Sequence, residues 1–510
     1  MTVLPRLLLL FALLLPFLGL GGFPLFDLDE GAFTASTTEM FLRQDFLSTW
    51  LHGAPRTDKP VLSYWLQAGS ARLFGFDEFG FRLPSALAAS AWIGLTYLFT
   101  ARVASREAAT LAAVILATAL GPLIITKAAT ADALLNLFLA AAGYAAWLWL
   151  DTGAARWRAL AWGAMGLGFL TKGPVAVLIP AAAVFLYCAS GRDWTRLRGF
   201  FLAPRAWALF LLIALPWFVI LYQQQGPAFL LGFFLKHNLG RFSAPMEGHG
   251  GSPLYYLPVL LLSLLPFTGL LFSLGARART AWATPWLRFG LIWFGFVFLL
   301  FSASGTKLPH YLYYGYAGLI PALAWACGQA RMRAVALGAL PLFLLLLFLP
   351  DLLLAQAGAV GMHYRAALAE TAQHFGPGYR AFFAFAALAA LASLLTGRFS
   401  VSARTAALGL LGGLGVALLL LPAVGNLLQG PTKAAGLAAR ALPGPLVMDG
   451  LNHPSFQTYA GRLVERRELR PGDLVLLPAG GLDKMPPHDV VGLYRDLALA
   501  RVKMRMRETP

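Results

Sequence analysis

The chain has 510 residues, of which 58% are hydrophobic and 12% charged, with a mean hydropathy of +0.67. A soluble domain carries about 25% charged residues, so the composition excludes an ordinary soluble globule and points to lipid. The net charge of +17 lies in arginines gathered in short gaps between apolar runs. It lacks the continuous basic stripe with interleaved aromatics expected of nucleic-acid binding.

A spanning helix needs about 20 mainly apolar residues, and about thirteen runs qualify: 4–22, 80–101, 107–125, 132–150, 158–171, 174–190, 207–223, 254–275, 289–303, 309–328, 334–355, 381–396 and 403–425. The first has no small-residue cleavage site before the polar stretch that follows, so it is read as a retained helix. With a cytoplasmic N-terminus, the gaps holding Arg102 and Arg106, Arg156 and Arg158, Arg192 to Arg205, Arg277 and Arg279, Arg331 and Arg333, and Arg398 and Arg404 all fall inside, as the positive-inside rule requires. Segments 23–79, 126–131, 224–253, 304–308, 356–380 and the tail after about 428 then fall outside. Cys188 and Cys327 sit in apolar runs, with neither metal spacing nor a disulfide framework.

In outer segment 23–79 the pattern predicts two short interfacial helices roofing a cavity. One follows "DLDEGAF" and repeats Phe33, Met40 and Phe41; the other, in "KPVLSYWLQAGSARLFG", has Leu62, Trp65, Leu66 and Leu73 on one side. Asp27 suits helix punctuation. Asp29 and Glu30 suit either the first turn of a helix or general base catalysis and cation binding. Asp58 and Lys59 precede Pro60. They read either as a cap with a snorkelling lysine, or as a phosphate-holding Lys59 beside a metal-ligating or orienting Asp58.

Farther along, Asp132 stands at the outer mouth of the fourth span and Lys172 in a turn before Gly173-Pro174. Ionisable groups at membrane depth are functional by default, although Lys172 also suits a helix end. The outer loop holds Lys236, His237, Asn238, Arg241, Glu247 and His249. Its basic pair, Lys236 and Arg241, suits phosphate, while metal ligation by His249 needs carboxylates from elsewhere. In "SGTKLPHYLYYGYAG" most tyrosines fit the interfacial aromatic belt, and Lys307 with Tyr311 suits an anionic head group. From about 431 the tail turns polar, with strand-like "PLVMDG" and "GDLVLLP", which predicts a small α/β domain over 431–510 after a membrane domain over 1–430.

Five motifs in order, "DLDEGAFTASTTEM", "RTDKPVLSYWLQAGSARLFGFDEFGFRLPSAL", "FLTKGP", "HNLGRF" and "SGTKLPHYLYY", resemble the polytopic C-type (GT-C) glycosyltransferases of the lipid A aminoarabinose transferase group, distant relatives of protein O-mannosyltransferases. The resemblance covers roughly 5–330 and is mainly one of hydropathy beyond that. It implies an all-α bundle of about thirteen membrane helices, interfacial helices in the first periplasmic loop, and a small α/β periplasmic domain. It implies a bacterial inner-membrane enzyme, a monomer, moving a sugar from a polyprenyl-phosphate carrier to a glycolipid, glycan or protein acceptor at the periplasmic face. Inversion at the anomeric carbon and no nucleotide cofactor go with it.

By the same resemblance, Asp29 matches an essential first-loop acid with Glu30 beside it, and Asp132 matches a second acid facing the first. Lys59 matches a carrier-phosphate lysine, Tyr311 a tyrosine on that phosphate, and Arg241 a further phosphate contact. Asp58 stands where the group has a glutamate metal ligand, and His249 matches its histidine partner, for a divalent ion such as Zn, Mg or Mn. The competing readings are a lipid-linked glycan transporter and a non-catalytic scaffold. A transporter usually keeps polar sites near the midplane in matching halves, which the one-sided grouping of acids and bases does not resemble. Retention of Asp29, Lys59 and Asp132 together argues against a decayed scaffold.

Overall fold

The computed structural model describes residues 3–246, 248–356, 358 and 362–504. The opening apolar run forms α1 (Val3–Leu14), which ends in a tighter turn at Leu15–Phe17. Next come α2 (Asp29–Arg43), a two-stranded ribbon of β1 (Trp50–Leu51) and β2 (Ala54–Pro55), and α3 (Leu62–Phe74). Helix α4 (Glu78–Val103) starts where Asp77 accepts from the Gly80 N–H, and α5 (Arg106–Thr118) where Ser105 accepts from Ala108. Both caps satisfy first-turn donors that lack an intrahelical partner. The chain then bends by 66° into α6 (Leu120–Thr126). Two antiparallel helices, α7 (Asp132–Thr152) and α8 (Ala155–Lys172), are followed by α9 (Val175–Ser190).

Every apolar run expected to span carries helix. By length and apolarity, 7 helices among the described residues are long enough to cross a membrane, or up to 8 with the bent pair counted as one. Two of the other runs are broken by their own sequence. The 254–275 run breaks around Pro266, and 309–328 opens with a tight turn at Pro309–Gly315, because proline removes a helical donor. Bundle surfaces carry exposed Leu178, Leu212, Phe272, Leu299, Leu337 and Leu388, the apolar exterior that lipid requires and water penalises.

The last helical stretch, Val401–Arg440, is 40 residues long and passes from the bundle into the tail. Its Ala435 and Ala439 share a core with Leu446, Met448, Phe456, Val464, Leu474 and Leu476, so the boundary expected near 430 falls inside a helix. The tail forms a sheet of β3 (Leu446–Met448), β4 (Val464–Glu465), β5 (Leu474–Pro478), β6 (His488–Tyr494) and β7 (Leu497–Val502) in the order β4-β3-β5-β7-β6. Pairings within β4-β3-β5 are parallel and those within β5-β7-β6 antiparallel.

Helix α3 leaves Trp65, Leu66 and Leu73 exposed, as an interfacial helix should. Helix α2 does not lie on its apolar face. Glu30 to Met40 are all buried because the Thr- and Ser-rich side is covered by the short tail helix Ser455–Ala460. Thr34 and Thr458 bond at 3.0 Å, and Gln457 donates to the Ala35 carbonyl and the Glu39 carboxylate.

The N-terminus of α2 is fixed by a buried ion pair. Arg82, fully buried on α4, donates to Glu30 Oε1 and Oε2 at 2.7 and 2.8 Å and to the carbonyls of Leu20, Phe23 and Pro24. Glu30 also accepts from the N–H groups of Phe26 and Ala129 at 2.8 Å. Removing one partner of such a pair strands the other charge and costs about 3–5 kcal/mol. Arg82→Met is therefore expected to lower the melting temperature in detergent sharply. Glu30→Gln keeps the shape but removes the charge and turns one acceptor oxygen, which takes two of the four donors, into a donor, so it is also expected to lower it; equal melting of Arg82→Met and wild type would show that the pair does not hold the fold.

Candidate active site

Segment 23–79, the start of α7, the end of α8, the 231–243 helical loop and the Pro309–Gly315 turn converge at one end of the bundle. Between them lies a cleft of about 380 Å³. Its polar end is formed by Asp58, Lys59, Lys172, His237, Arg241, Tyr311 and Tyr314. Its apolar end is formed by Val175, Leu178, Phe234, Leu239, Phe242 and Leu300, of which Leu178, Leu239 and Phe242 are exposed on the bundle exterior. Such a cleft suits an anionic head on a hydrocarbon tail.

Lys59 follows the corner made by Thr57–Asp58 and Pro60, and its Nζ donates to the Asp58 carbonyl at 3.1 Å. Burial pushes its pKa down to about 8; Asp58 opposes this, and the charges of Lys172, Arg241 and Arg56 add to it. An arriving anion would relieve that penalty. Lys172 ends α8 with its Nζ 2.5 Å from Asp132 Oδ1 and 2.7 Å from the Tyr314 hydroxyl. Tyr314 also donates to Asp132 at 2.7 Å, and His310 Nε2 lies 3.7 Å from the same oxygen. Asp132 is thus buried behind the cleft as an anchor for Lys172, Tyr314 and His310. Tyr311 packs on Phe301 with its ring 5.7 Å from Lys172 Nζ. Arg241 lines the cleft from the 231–243 helical loop.

Asp29 is exposed at the first turn of α2. Among the described residues no hydrogen bond or ion pair engages its carboxylate. It lines a neighbouring hollow of about 250 Å³ with Asp27, Lys127 and Leu421, and its charge reaches both Arg56 and His310.

Two expected site residues have other work. Glu30, expected beside Asp29 in catalysis, has both oxygens closed by Arg82 and two backbone donors, so its role is to hold the fold. Lys307, expected on the carrier phosphate, is buried with its Nζ donating to the carbonyls of Phe301, Ser302 and Ser304. It closes the C-terminus of helix Pro285–Ala303, where orphan carbonyls attract a cation.

The residues do not fit the expected divalent ion. Arg56 takes both oxygens of Asp58, Nε to Oδ1 at 2.6 Å and Nη2 to Oδ2 at 3.0 Å. Burial alone would raise the Asp58 pKa, but Arg56 and Lys59 hold the carboxyl well below the usual range. His249, the expected second ligand, is exposed, and its carbonyl accepts from the Lys307 N–H. The imidazole facing Asp58 is that of His237, held below its ordinary pKa by burial and by Lys59, Arg241 and Lys236. Among the described residues no three His, Cys, Asp or Glu side chains converge; Glu247 lies outside the described residues.

Lys172 was legible as an ionisable group at membrane depth, but its pairing with Asp132 was not. His237 was one of several basic loop residues, and Tyr314 was absorbed into the aromatic belt. Arg56 had a signal that went unused: residues two apart on an extended segment share a face, which puts Arg56 beside Asp58.

Residues 58–220 match the family model described as dolichyl-phosphate-mannose-protein mannosyltransferase. Undecaprenyl phosphate-alpha-4-amino-4-deoxy-L-arabinose arabinosyl transferases are 31% identical over 293 residues in Pseudomonas paraeruginosa and 32% over 292 in Edwardsiella ictaluri, covering 56% of this chain and 52% of the relative in each case. The chain thus spans about half the length of these curated relatives. The crystal structure of ArnT from Cupriavidus metallidurans bound to undecaprenyl phosphate superposes with a TM-score of 0.83 over 98% of both chains at 22% identity, so the fold is shared along the whole chain.

In the hollow that Asp29 also lines, Asp27 accepts from the Ser455 N–H at 2.9 Å and hydroxyl at 2.6 Å. Burial pushes its pKa up to about 7, the Ser455 bonds pull it down, and the Glu30 charge adds to the rise. In the unfolded chain this carboxyl ionises at about pH 3.9, so between the two values the folded chain keeps a proton that the unfolded chain has lost. The stability from that proton is full below about pH 4 and is lost as pH rises through about 7. Asp27→Asn is expected to flatten the decline of melting temperature across this window; an unchanged slope would clear Asp27 as its source.

Proposed function

We propose that this chain, a GT-C protein of the aminoarabinose-transferase type in sequence and fold, is an integral-membrane glycosyltransferase using a polyprenyl-phosphate-linked sugar. The carrying observation is the cleft itself: Lys59, Lys172 and Arg241 with the Tyr311 ring at one end, and an apolar end reaching exposed leucines. The carrier in the names of the arabinosyl transferase relatives, undecaprenyl phosphate, has the chemistry this cleft would bind. The site lies at the periplasmic face of a bacterial inner membrane, in a bundle over 1–430 that works as a monomer with the 431–510 domain.

In the reaction the bond from the anomeric carbon to the phosphate oxygen breaks, and its electron pair stays on the phosphate. Lys59 and Arg241 stabilise that charge where water is largely excluded, and Lys172, oriented by Asp132, adds to the field. An acceptor oxygen on a glycolipid, glycan or protein attacks the opposite face of the sugar, giving inversion. Asp29 orients a hydroxyl acceptor and takes its proton. A transporter needs no unengaged carboxylate beside a cationic head-group pocket, whereas group transfer uses both.

In reconstituted transfer from a panel of undecaprenyl-phosphate sugars, Asp29→Asn is expected to lower turnover about 100-fold or more with carrier binding retained. Lys59→Ala is expected to weaken carrier binding about tenfold or more. Wild-type transfer that survives Asp29→Asn would remove Asp29 from the chemistry, and absence of transfer across the panel would favour the transporter.

A further inference from the structure

Arg56 stands behind Asp58, outside the lining of the cleft. Beyond its two-point contact with that carboxylate, its Nη1 donates to the Ala32 carbonyl at 2.5 Å and the Ser36 hydroxyl at 3.2 Å, both on α2. Its guanidinium lies 5.0 Å from the Phe33 ring centre and 5.9 Å from that of Tyr64. Its own backbone is held by Thr49, whose carbonyl accepts from the Arg56 N–H at 2.8 Å and whose hydroxyl donates to the Arg56 carbonyl at 2.5 Å. The side chain is therefore fixed at its root and at its tip.

Asp58 lines the polar end of the cleft, where a phosphate would meet its charge. A carboxylate there needs a cation, and a divalent ion is one supply. Entering at Asp58, that ion would have to displace a planar guanidinium from both oxygens, the geometry in which arginine binds carboxylates best. It would also sit among Lys59, Arg241 and Lys172.

We propose that Arg56 does with protein atoms what a divalent ion would do at this corner: it neutralises Asp58 where the carrier phosphate arrives, and it ties the Asp58–Lys59 corner to the helix that bears Asp29. Arg56 is a positioning residue, and carrier binding is independent of divalent cations. The inference rests on the transferase reading of the cleft.

The test measures undecaprenyl phosphate affinity and metal content of the purified full chain in nanodiscs, before and after exhaustive EDTA treatment. Wild type is expected to keep its affinity within twofold after chelation and to hold no stoichiometric metal at Asp58. Arg56→Gln is expected to lose about tenfold or more in affinity, because Asp58 then repels the phosphate. Arg56→Gln/Asp58→Asn, which removes both charges, is expected to recover most of that loss, and a folding defect would not be cured this way. Failure of the double variant to recover would overturn the proposal. So would wild-type binding that EDTA abolishes and Zn²⁺, Mg²⁺ or Mn²⁺ restores, or one metal ion per chain lost in Asp58→Asn. A wild type that binds no undecaprenyl phosphate under any condition would sink the transferase reading, while metal content in wild type and Asp58→Asn still judges whether Asp58 holds an ion.

Discussion

The pairing of Glu30 with Arg82 is the contact on which the arrangement of this end of the bundle depends. Burying two charges is costly, and it is sustained only when every lone pair and proton finds a partner. Here the partners are the carbonyls of Leu20, Phe23 and Pro24 and the N–H groups of Phe26 and Ala129. They belong to the end of the first apolar run, the start of α2, and the turn before α7. One ion pair therefore locks three separate segments onto α4. It also sets the direction of its neighbour: consecutive helical residues project about 100° apart, so drawing Glu30 inward turns Asp29 outward. Two adjacent acids thereby receive opposite fates, one spent on the fold and one left unengaged.

A second constraint is the excess of positive charge in the cleft. Lys59, Lys172 and Arg241 share a partly desolvated space with Asp58 and Asp132, and each of those carboxylates already serves a cation placed behind or beside it. Repulsion among the cations adds to the desolvation that depresses the Lys59 pKa. A phosphate resolves both penalties at once, since it supplies charge and accepts the unused donors. The cleft is thus poised for an anion by the same terms that make it unfavourable when empty, and its apolar extension would suit the hydrocarbon tail of the proposed carrier.

What the sequence made legible was the part governed by local pattern. Apolar runs of membrane length, arginines in the short gaps, and the two helices of the first outer segment all follow from periodicity and charge placement. The motifs also marked Lys59 and Tyr311, which line the cleft, and Asp29, which opens α2 beside it. What escaped was pairing between distant segments. Nothing within the local sequence distinguishes a lysine that meets phosphate from one that caps a helix, and Lys307 and Lys59 both sit at bends in the chain. The difference is that the last carbonyls of helix Pro285–Ala303 lie within reach of the first and not of the second. Glu30 escaped for the same reason, because its partner lies 52 residues away.

The tail domain then becomes part of the site's framework rather than an appendage. Its short helix Ser455–Ala460 covers the polar side of α2, and contact at the Asp27–Ser455 clasp is so close that a Cβ on Gly31 would lie 1.8 Å from Asp27 Oδ1 and 2.7 Å from the Ser455 nitrogen. Glu78, at the start of α4, accepts from both Lys433 and Tyr459, while Tyr459 in turn accepts from the Leu25 N–H. These contacts bind the tail to the same two helices, α2 and α4, that the Glu30–Arg82 pair joins. The continuous helix Val401–Arg440 makes this coupling stiff, because its last turns are core to the tail while its first lie in the bundle. A helix as polar as α2 would not stay buried at a lipid surface without partners for its threonines and Glu39. The tail supplies those partners, and so the orientation of Asp29 depends on a domain that, among the described residues, contributes no side chain to the cleft.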